Sequence, residues 1–197
     1  DHSINKPSNT YRILLLGDSF AASLQTTKDK TFGRQLENQL NSLGLTQHFE
    51  VISIGMGDTG TAQQYLAIKE FGLKYQPDLV IQMFLTANDL KNNYPELQRD
   101  PHRPYLKLDG DELVQLPFSP KSERQLQGFK EQLKDLRIVE LLLATRQAWQ
   151  EQDANRSSDY PIDYHVYDRN YNLQYQQAWQ VTERLLQATK ETSNQAG

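Results

Sequence analysis

The stretch ILLLGDSFAASLQ, residues 13–25, decides how the chain folds and raises the question of its function. Four apolar residues run directly into Gly17-Asp18-Ser19-Phe20, a pattern typical of a buried strand that ends in a turn. A structural turn is the simpler interpretation of this pattern. The alternative is that the turn presents Ser19 as a nucleophile, which requires partner residues elsewhere in the chain.

Short apolar runs recur along the first half of the chain. They predict three buried strands, at RILLL (12–16), FEVISI (49–54) and DLVIQMFL (78–85). The segments between the runs are too long for hairpins, so they favour right-handed crossovers and a parallel sheet. The sequence therefore predicts an α/β sandwich with helices on both faces of the sheet.

The segments between these strands contain apolar residues at helical spacing. The first predicted helix covers 32–43, with Asp29 or Thr31 as its N-cap and Gly44 at its end. A second helix is predicted over 62–75. Each helix has one apolar face, as expected for a layer that covers a sheet.

The pattern changes after the third strand. Residues 91–105 are rich in Pro and Asn, and residues 105–116 alternate around an Asp-Gly pair like a small hairpin. A long amphipathic helix is predicted over 126–149. We interpret about 91–170 as an insertion into the sandwich.

The ends of the chain are polar. Residues 1–10 predict an N-terminal tether, and residues 11–197 a single domain of a size that one core can support. A last helix is predicted to place one apolar face inward, formed by Ala178, Val181, Leu185 and Ala188. The polar start would suit a chain from which an upstream anchor or signal has been removed, and in that case we expect an extracytoplasmic or membrane-tethered protein; the compartment itself is left open by the sequence.

Composition excludes several functional classes. The 197 residues carry a net charge of −4 without long basic runs, so we expect neither nucleic acid nor an anionic membrane surface as a partner. The absence of cysteine excludes disulfides, thiolate catalysis and cysteine-ligated metals. No apolar run approaches the length of a membrane span. The oligomeric state is left open by the sequence.

Polar and small residues follow each predicted strand. The first strand ends at Gly17-Asp18-Ser19, the second at the glycine-rich residues 55–60, and the third at residues 86–89, which include Asn88. The carboxyl ends of parallel strands meet at one edge of a sheet, where open α/β folds bind ligands. Ser19 would be a nucleophile there, while a backbone N–H of the glycine-rich turn and the Asn88 side chain would be oxyanion donors.

These three groups of residues resemble the conserved blocks of a known family. GDSF at 17–20, GMGDTGTAQ at 55–63 and AND at 87–89 are similar in order and spacing to the first three blocks of the SGNH hydrolases, also called GDSL esterases and lipases. The resemblance covers residues 11–93. It implies a flavodoxin-like three-layer α/β/α sandwich, no metal or organic cofactor, and hydrolysis of small-molecule or carbohydrate esters.

The resemblance also implies roles for individual residues. Ser19 corresponds to the nucleophile, Gly57 or its neighbour to the backbone oxyanion donor, and Asn88 to the side-chain donor. The second block departs from the family pattern, because Ser53 replaces the usual Asn and one register places Asp58 at the donor position. In the third block, alanine replaces the more usual glycine before Asn88.

The family's last block, an Asp-x-x-His motif that supplies the base, does not occur in the chain. Two of the four histidines fall in loops beside an acid, His102 after Asp100 and His165 after Asp163. Such loop pairs are usually solvated surface pairs, so we do not expect either histidine to be the base. We expect instead a C-terminally incomplete sandwich, ending at a helix-to-strand loop before the histidine block.

Three functional hypotheses follow. The first is an SGNH-type serine esterase that uses Ser19, Asn88 and the Gly57 region, with its histidine and aspartate missing from this chain. The second is a non-catalytic SGNH-like domain that binds an acylated or carbohydrate ligand or a protein partner. The third, a flavodoxin-like binder of a phosphorylated cofactor, is disfavoured because residues 55–60 lack the lysine and spacing of a phosphate loop.

Overall fold

A parallel sheet forms the centre of the structure, a computed structural model that describes residues 2–100, 102–118 and 162–196. Its strands are β1 (Thr10–Gly17), β2 (His48–Gly55) and β3 (Leu79–Gln82). Their order is β2-β1-β3, and β1 pairs in parallel with both neighbours. The predicted α/β fold with a parallel sheet is confirmed.

Five helices accompany the strands in the described part of the chain. They are α1 (Ser19–Ala22), α2 (Phe32–Ser42), α3 (Thr61–Glu70), α4 (Thr86–Asn93) and α5 (Leu173–Ala196). Short 3₁₀ turns occur at Lys28–Lys30, Gly72–Tyr75 and Ile162–Tyr167. The helix predicted over 126–149 lies outside the described residues.

The ends of α2 follow the predicted capping chemistry. Thr31 is the N-cap, and its side-chain oxygen accepts a hydrogen bond from the Arg34 amide at 3.4 Å. Gly44, just past the helix, has a φ of 67°, a left-handed conformation that glycine adopts without steric cost. The helix predicted over 62–75 is shorter than expected, because α3 ends at Glu70 and a 3₁₀ turn follows.

The alternating side chains of β1 build a core on each face of the sheet. Ile13 and Leu15 pack with Val51 and with apolar residues of α2, whereas Leu14 and Leu16 pack against Ile68 of α3. All of these leucines are fully buried. This explains why the strand is an unbroken apolar run, since both of its faces are covered.

The last helix covers a further part of the core. Its predicted apolar face is confirmed, because the four residues are all buried, namely Ala178, Val181, Leu185 and Ala188. The predicted hairpin is also confirmed as β4 (Leu106–Asp109) and β5 (Glu112–Gln115), and Leu106 packs against this helix. Trp179 of the same helix packs near Phe84, with ring centroids 6.1 Å apart.

One charged side chain is completely buried at the start of β1. The Arg12 guanidinium donates to Glu50 Oε2 at 2.6 Å and to four backbone carbonyl groups, those of Ser3, Ile4, Asn5 and Tyr75. Arginine has five N–H donors, and these five bonds account for all of them. Arg12 therefore fixes the N-terminal residues against the sheet.

None of the helices in the described ranges is both long and apolar enough to cross a membrane.

Candidate active site

Ser19 lies where the sequence predicts, directly after β1 and as the first residue of α1. Its side chain is half-buried at the carboxyl edge of the sheet. Asp18 caps the turn, because its Oδ1 accepts a hydrogen bond from the Phe20 amide at 2.9 Å. This local bond is the reason why Asp favours such positions.

Two glycines allow α1 to pack directly on the strand ends. A Cβ atom added at Gly17 would lie 2.6 Å from Ala21 Cβ, and one added at Gly55 would lie 2.6 Å from Ala22 Cα. Real Cβ contacts are not that short, so any larger residue would displace α1 and Ser19. The break of the first strand on a glycine is thus explained by the close approach of the helix that carries the serine.

Asn88, in the first turn of α4, is joined to the first block by a side-chain hydrogen bond. Its Nδ2 donates to Asp18 Oδ2 at 3.0 Å, across 70 residues of sequence. Asp18 therefore uses one carboxylate oxygen for its own turn and the other to orient Asn88. An amide nitrogen carries two protons, so the bond to Asp18 uses one and the second can serve an oxyanion.

The loop after β2 begins beside the strand end that precedes Ser19. The Met56 amide donates to the Gly17 carbonyl at 3.2 Å, which brings the loop to the same edge of the sheet. Gly57 is exposed, and no atom lies within 4 Å of the position of an added Cβ. Asp58 has a φ of 54°, a left-handed conformation that Asp tolerates better than most residues.

A tight contact fixes this loop against α4. A Cβ atom added at Gly60 would lie 2.6 Å from Asn93 Oδ1 and 2.9 Å from Asn92 Cβ. Asn93 Oδ1 also accepts a hydrogen bond from the Ala62 amide at 2.9 Å. The carriers of the two expected oxyanion donors, the loop and α4, are therefore in direct contact. Sequence reasoning missed Asn92 and Asn93, because a buried Asn on a short helix has no local signal.

Asp89 is completely buried beside the candidate site. Its Oδ2 accepts a hydrogen bond from the amide of Leu85, the residue before α4, at 3.0 Å, so it closes the first turn of this helix. Burial raises the pKa of Asp89 to about 7. The hydrogen bond from Leu85 lowers this pKa, the negative charge of Asp18 raises it, and a hydrogen bond from Gln64 lowers it. Near neutral pH the buried carboxyl is thus partly protonated.

The pKa of Asp89 predicts a dependence of stability on pH. Because the folded state binds this proton more tightly than the unfolded state, the stabilisation is complete below the unfolded pKa and is lost as pH rises through about 7. In the wild-type chain we expect the free energy of unfolding to decrease on the order of 2–4 kcal/mol between about pH 4 and pH 8. This decrease should be absent in Asp89→Asn, which has no carboxyl group at this position. Urea denaturation across that range, with the exposed Asp109→Asn as control, measures it. Equal pH slopes in wild type and Asp89→Asn would contradict the prediction.

The two loop histidines have different surroundings. His165 Nδ1 lies 2.8 Å from Asp168 Oδ2, and its ring lies 6.1 Å from the Tyr175 ring. The order of this pair is His-x-x-Asp, the reverse of the family's Asp-x-x-His. The His102 amide donates to Asp100 Oδ1 at 2.9 Å, which is a local turn contact.

The other two histidines do not belong to the strand-end edge. His2 Nε2 lies 2.8 Å from Glu37 Oε2, and His48 is the first residue of β2, at the amino end of the sheet. The side chain of Asp163, which the sequence places near His165, lies outside the described residues.

Hydrogen bonds at this edge join the first of the three predicted blocks to each of the other two. Asp18, next to Ser19, binds the Asn88 side chain, and Met56, next to Gly57, binds the backbone of Gly17. This geometry is compatible with acyl transfer, since a serine hydroxyl and two kinds of N–H donor share one edge.

Comparison with known proteins gives the following findings. No protein family and no curated protein matches the chain. Among solved structures, it is similar to AlinE4, described as an SGNH-hydrolase family esterase, with 31% identity over 43% of this chain and 44% of that chain, at a TM-score of 0.36. Two AlinE4 mutants align at 31% and 28% identity with the same coverage and TM-score. The chain spans less than half the length of these esterases.

Proposed function

We propose that the chain is an ester-hydrolase domain of the SGNH type, in which Ser19 is the nucleophile. Asn88 and a backbone N–H near Gly57 stabilise the oxyanion. The observation that carries the proposal is the 3.0 Å hydrogen bond from Asn88 Nδ2 to Asp18, the residue that precedes Ser19. It orients the side-chain donor toward the turn that presents the nucleophile, as the resemblance of the sequence blocks implies.

The proposed reaction has two steps. Ser19 Oγ attacks the ester carbonyl carbon while a water molecule takes its proton, and the carbonyl oxygen becomes an oxyanion held by N–H donors. The alcohol then leaves with that proton, and a second water molecule hydrolyses the acyl-serine, which releases the acid and restores the Ser19 hydroxyl. The proposal does not assign the base to His165, because its position is explained by Asp168 and the Tyr175 ring.

The surroundings of the loop suit a small ligand. A cavity of about 520 Å³ adjoins Gly57, and its lining combines apolar side chains such as Leu66 and Phe71 with polar and charged ones such as Gln63, Glu70 and Asp100, and includes neither Ser19 nor Asn88. Cavities of this size hold small organic ligands. We propose a small-molecule ester with an apolar or sugar group of modest size as the substrate. No step of the proposal requires a metal or cofactor.

Replacement of Asn88 tests the proposal. We expect Asn88→Ala to lower kcat for p-nitrophenyl acetate by about 100-fold or more, with KM nearly unchanged, because an oxyanion donor acts mainly in the transition state. This ester has a good leaving group, so the measurement depends little on protonation of the alcohol. Initial rates of p-nitrophenol release over a range of ester concentrations give both constants.

The matched control is Asn41→Ala. The Asn41 amide binds the backbone of Phe49 at the amino end of the sheet, so its loss affects stability but not the candidate site. An Asn88→Ala variant that keeps the wild-type kcat would contradict the role of Asn88 as an oxyanion donor. One that changes only ligand affinity, in a chain without ester turnover, would argue for the non-catalytic binding domain instead.

A further inference from the structure

Arg103 is a buried cation next to the candidate site that the proposed reaction does not use. It lies in the irregular segment after α4, yet its side chain is only 5% exposed. One guanidinium nitrogen donates to Asn92 Oδ1 at 2.9 Å, and another donates to Asp58 Oδ2 at 2.7 Å. The Tyr105 ring lies against it, with 5.9 Å from the guanidinium carbon to the ring centroid.

The two partners of Arg103 belong to the two carriers of oxyanion donors. Asp58 follows Gly57 in the loop after β2, and Asn92 lies one helical turn after Asn88 on α4. Residues four apart lie on the same face of a helix. The guanidinium thus connects the loop that carries the proposed backbone donor to the face of α4 that carries Asn88, the proposed side-chain donor.

We propose that Arg103 is a positioning residue that fixes the Gly57 loop relative to Asn88, so that both donors reach one oxyanion. The inference rests on the proposed function. Gly60 already brings the loop against α4, but Gly57 and Asp58 lie beyond that contact and are exposed. Arg103 ties this outer part of the loop to α4 through its bonds to Asp58 and Asn92.

The chemistry of the bridge favours arginine. The rigid, planar guanidinium group of arginine donates hydrogen bonds in two directions at once, whereas the single ammonium group of lysine cannot reach both acceptors at this geometry. The bond to Asp58 also stabilises a residue with positive φ, a conformation that few residues other than glycine adopt. Loss of the bond should therefore release both the side chain and the backbone conformation of Asp58.

The test compares Arg103→Gln, Arg103→Lys and Asp58→Asn in the whole chain with p-nitrophenyl acetate. We expect each variant to lower kcat by about 10- to 100-fold while KM changes by less than about 3-fold, since misplaced donors weaken transition-state binding. Arg103→Lys should recover little of the loss. Arg34→Gln is the matched control, because Arg34 pairs with Glu37 on α2, away from the candidate site, and should keep the wild-type kcat.

A double variant separates positioning from general stability. If the loss of kcat comes from breaking the hydrogen bond between Arg103 and Asp58, the double variant Arg103→Gln with Asp58→Asn should have the same kcat as either single variant. Independent effects would instead multiply the two fold-losses in kcat. Asp58 is 68% exposed, so Asp58→Asn keeps the test valid if Arg103→Gln does not fold. A wild-type kcat in Asp58→Asn would overturn the inference alone, whereas a wild-type chain without Ser19-dependent turnover would overturn the proposed function and this inference with it.

Discussion

Ser19→Ala is expected to abolish p-nitrophenyl acetate hydrolysis by the chain, with a loss of about 1,000-fold or more relative to wild type. The reason is chemical, because alanine has no atom that can attack the carbonyl carbon. Intact mass measured soon after mixing should show one acetyl group on the wild-type chain and none on the variant. Peptide mapping should place that group on Ser19, the first residue of α1.

Ser23 provides the control for this experiment. It lies at the other end of α1, where its hydroxyl donates to the Phe20 carbonyl at 2.7 Å. Ser23→Ala should keep acetylation at Ser19 and turnover close to the wild-type rate. Undiminished hydrolysis by Ser19→Ala would contradict the proposed function, because p-nitrophenol release would then not depend on this serine.

The largest effect on stability is expected at Arg12. Arg12→Met should lower the free energy of unfolding by about 3–5 kcal/mol, because it leaves the buried Glu50 carboxylate without its guanidinium partner. Four backbone carbonyl groups also lose a donor. Urea denaturation at neutral pH, followed by tryptophan fluorescence or circular dichroism, gives the value.

Two variants define what the Arg12 result means. Arg184→Met breaks the exposed pair with Glu191 and should cost less than about 1 kcal/mol. Adding Glu50→Gln to Arg12→Met should recover part of the loss, since it removes the unpaired charge. If Arg12→Met costs no more than Arg184→Met, the five bonds of the guanidinium contribute little net stability.

The sequence predicted those parts of the fold that local patterns determine. The apolar run before Gly17 predicted β1, and the threonine and glycine at the ends of α2 predicted its caps. These features depend on neighbouring residues, so one sequence is enough to find them. The order of polar groups after the strands likewise predicted that Ser19 and Asn88 would lie at one edge.

Hydrogen bonds between residues far apart in the sequence could not be predicted from such local patterns. Nothing in the sequence near Asp18 indicates that its second carboxylate oxygen binds Asn88. Arg12 stands at the polar end of an apolar run, where exposure would be expected, yet it is fully buried. The bridge from Arg103 to Asp58 joins residues 45 apart. In each case the partner is set by the tertiary fold and has no periodic or local pattern.

The glycine contacts under α1 also have a consequence for engineering. Because Gly17 and Gly55 leave no side chain between the sheet and this helix, substitutions at those two positions cannot be used to adjust the serine's surroundings gradually. More room for substitution exists on the outer side, where Phe20 is 67% and Leu24 is 83% exposed. A mutant library for altered substrate preference should therefore randomise these two outer positions and keep both glycines constant.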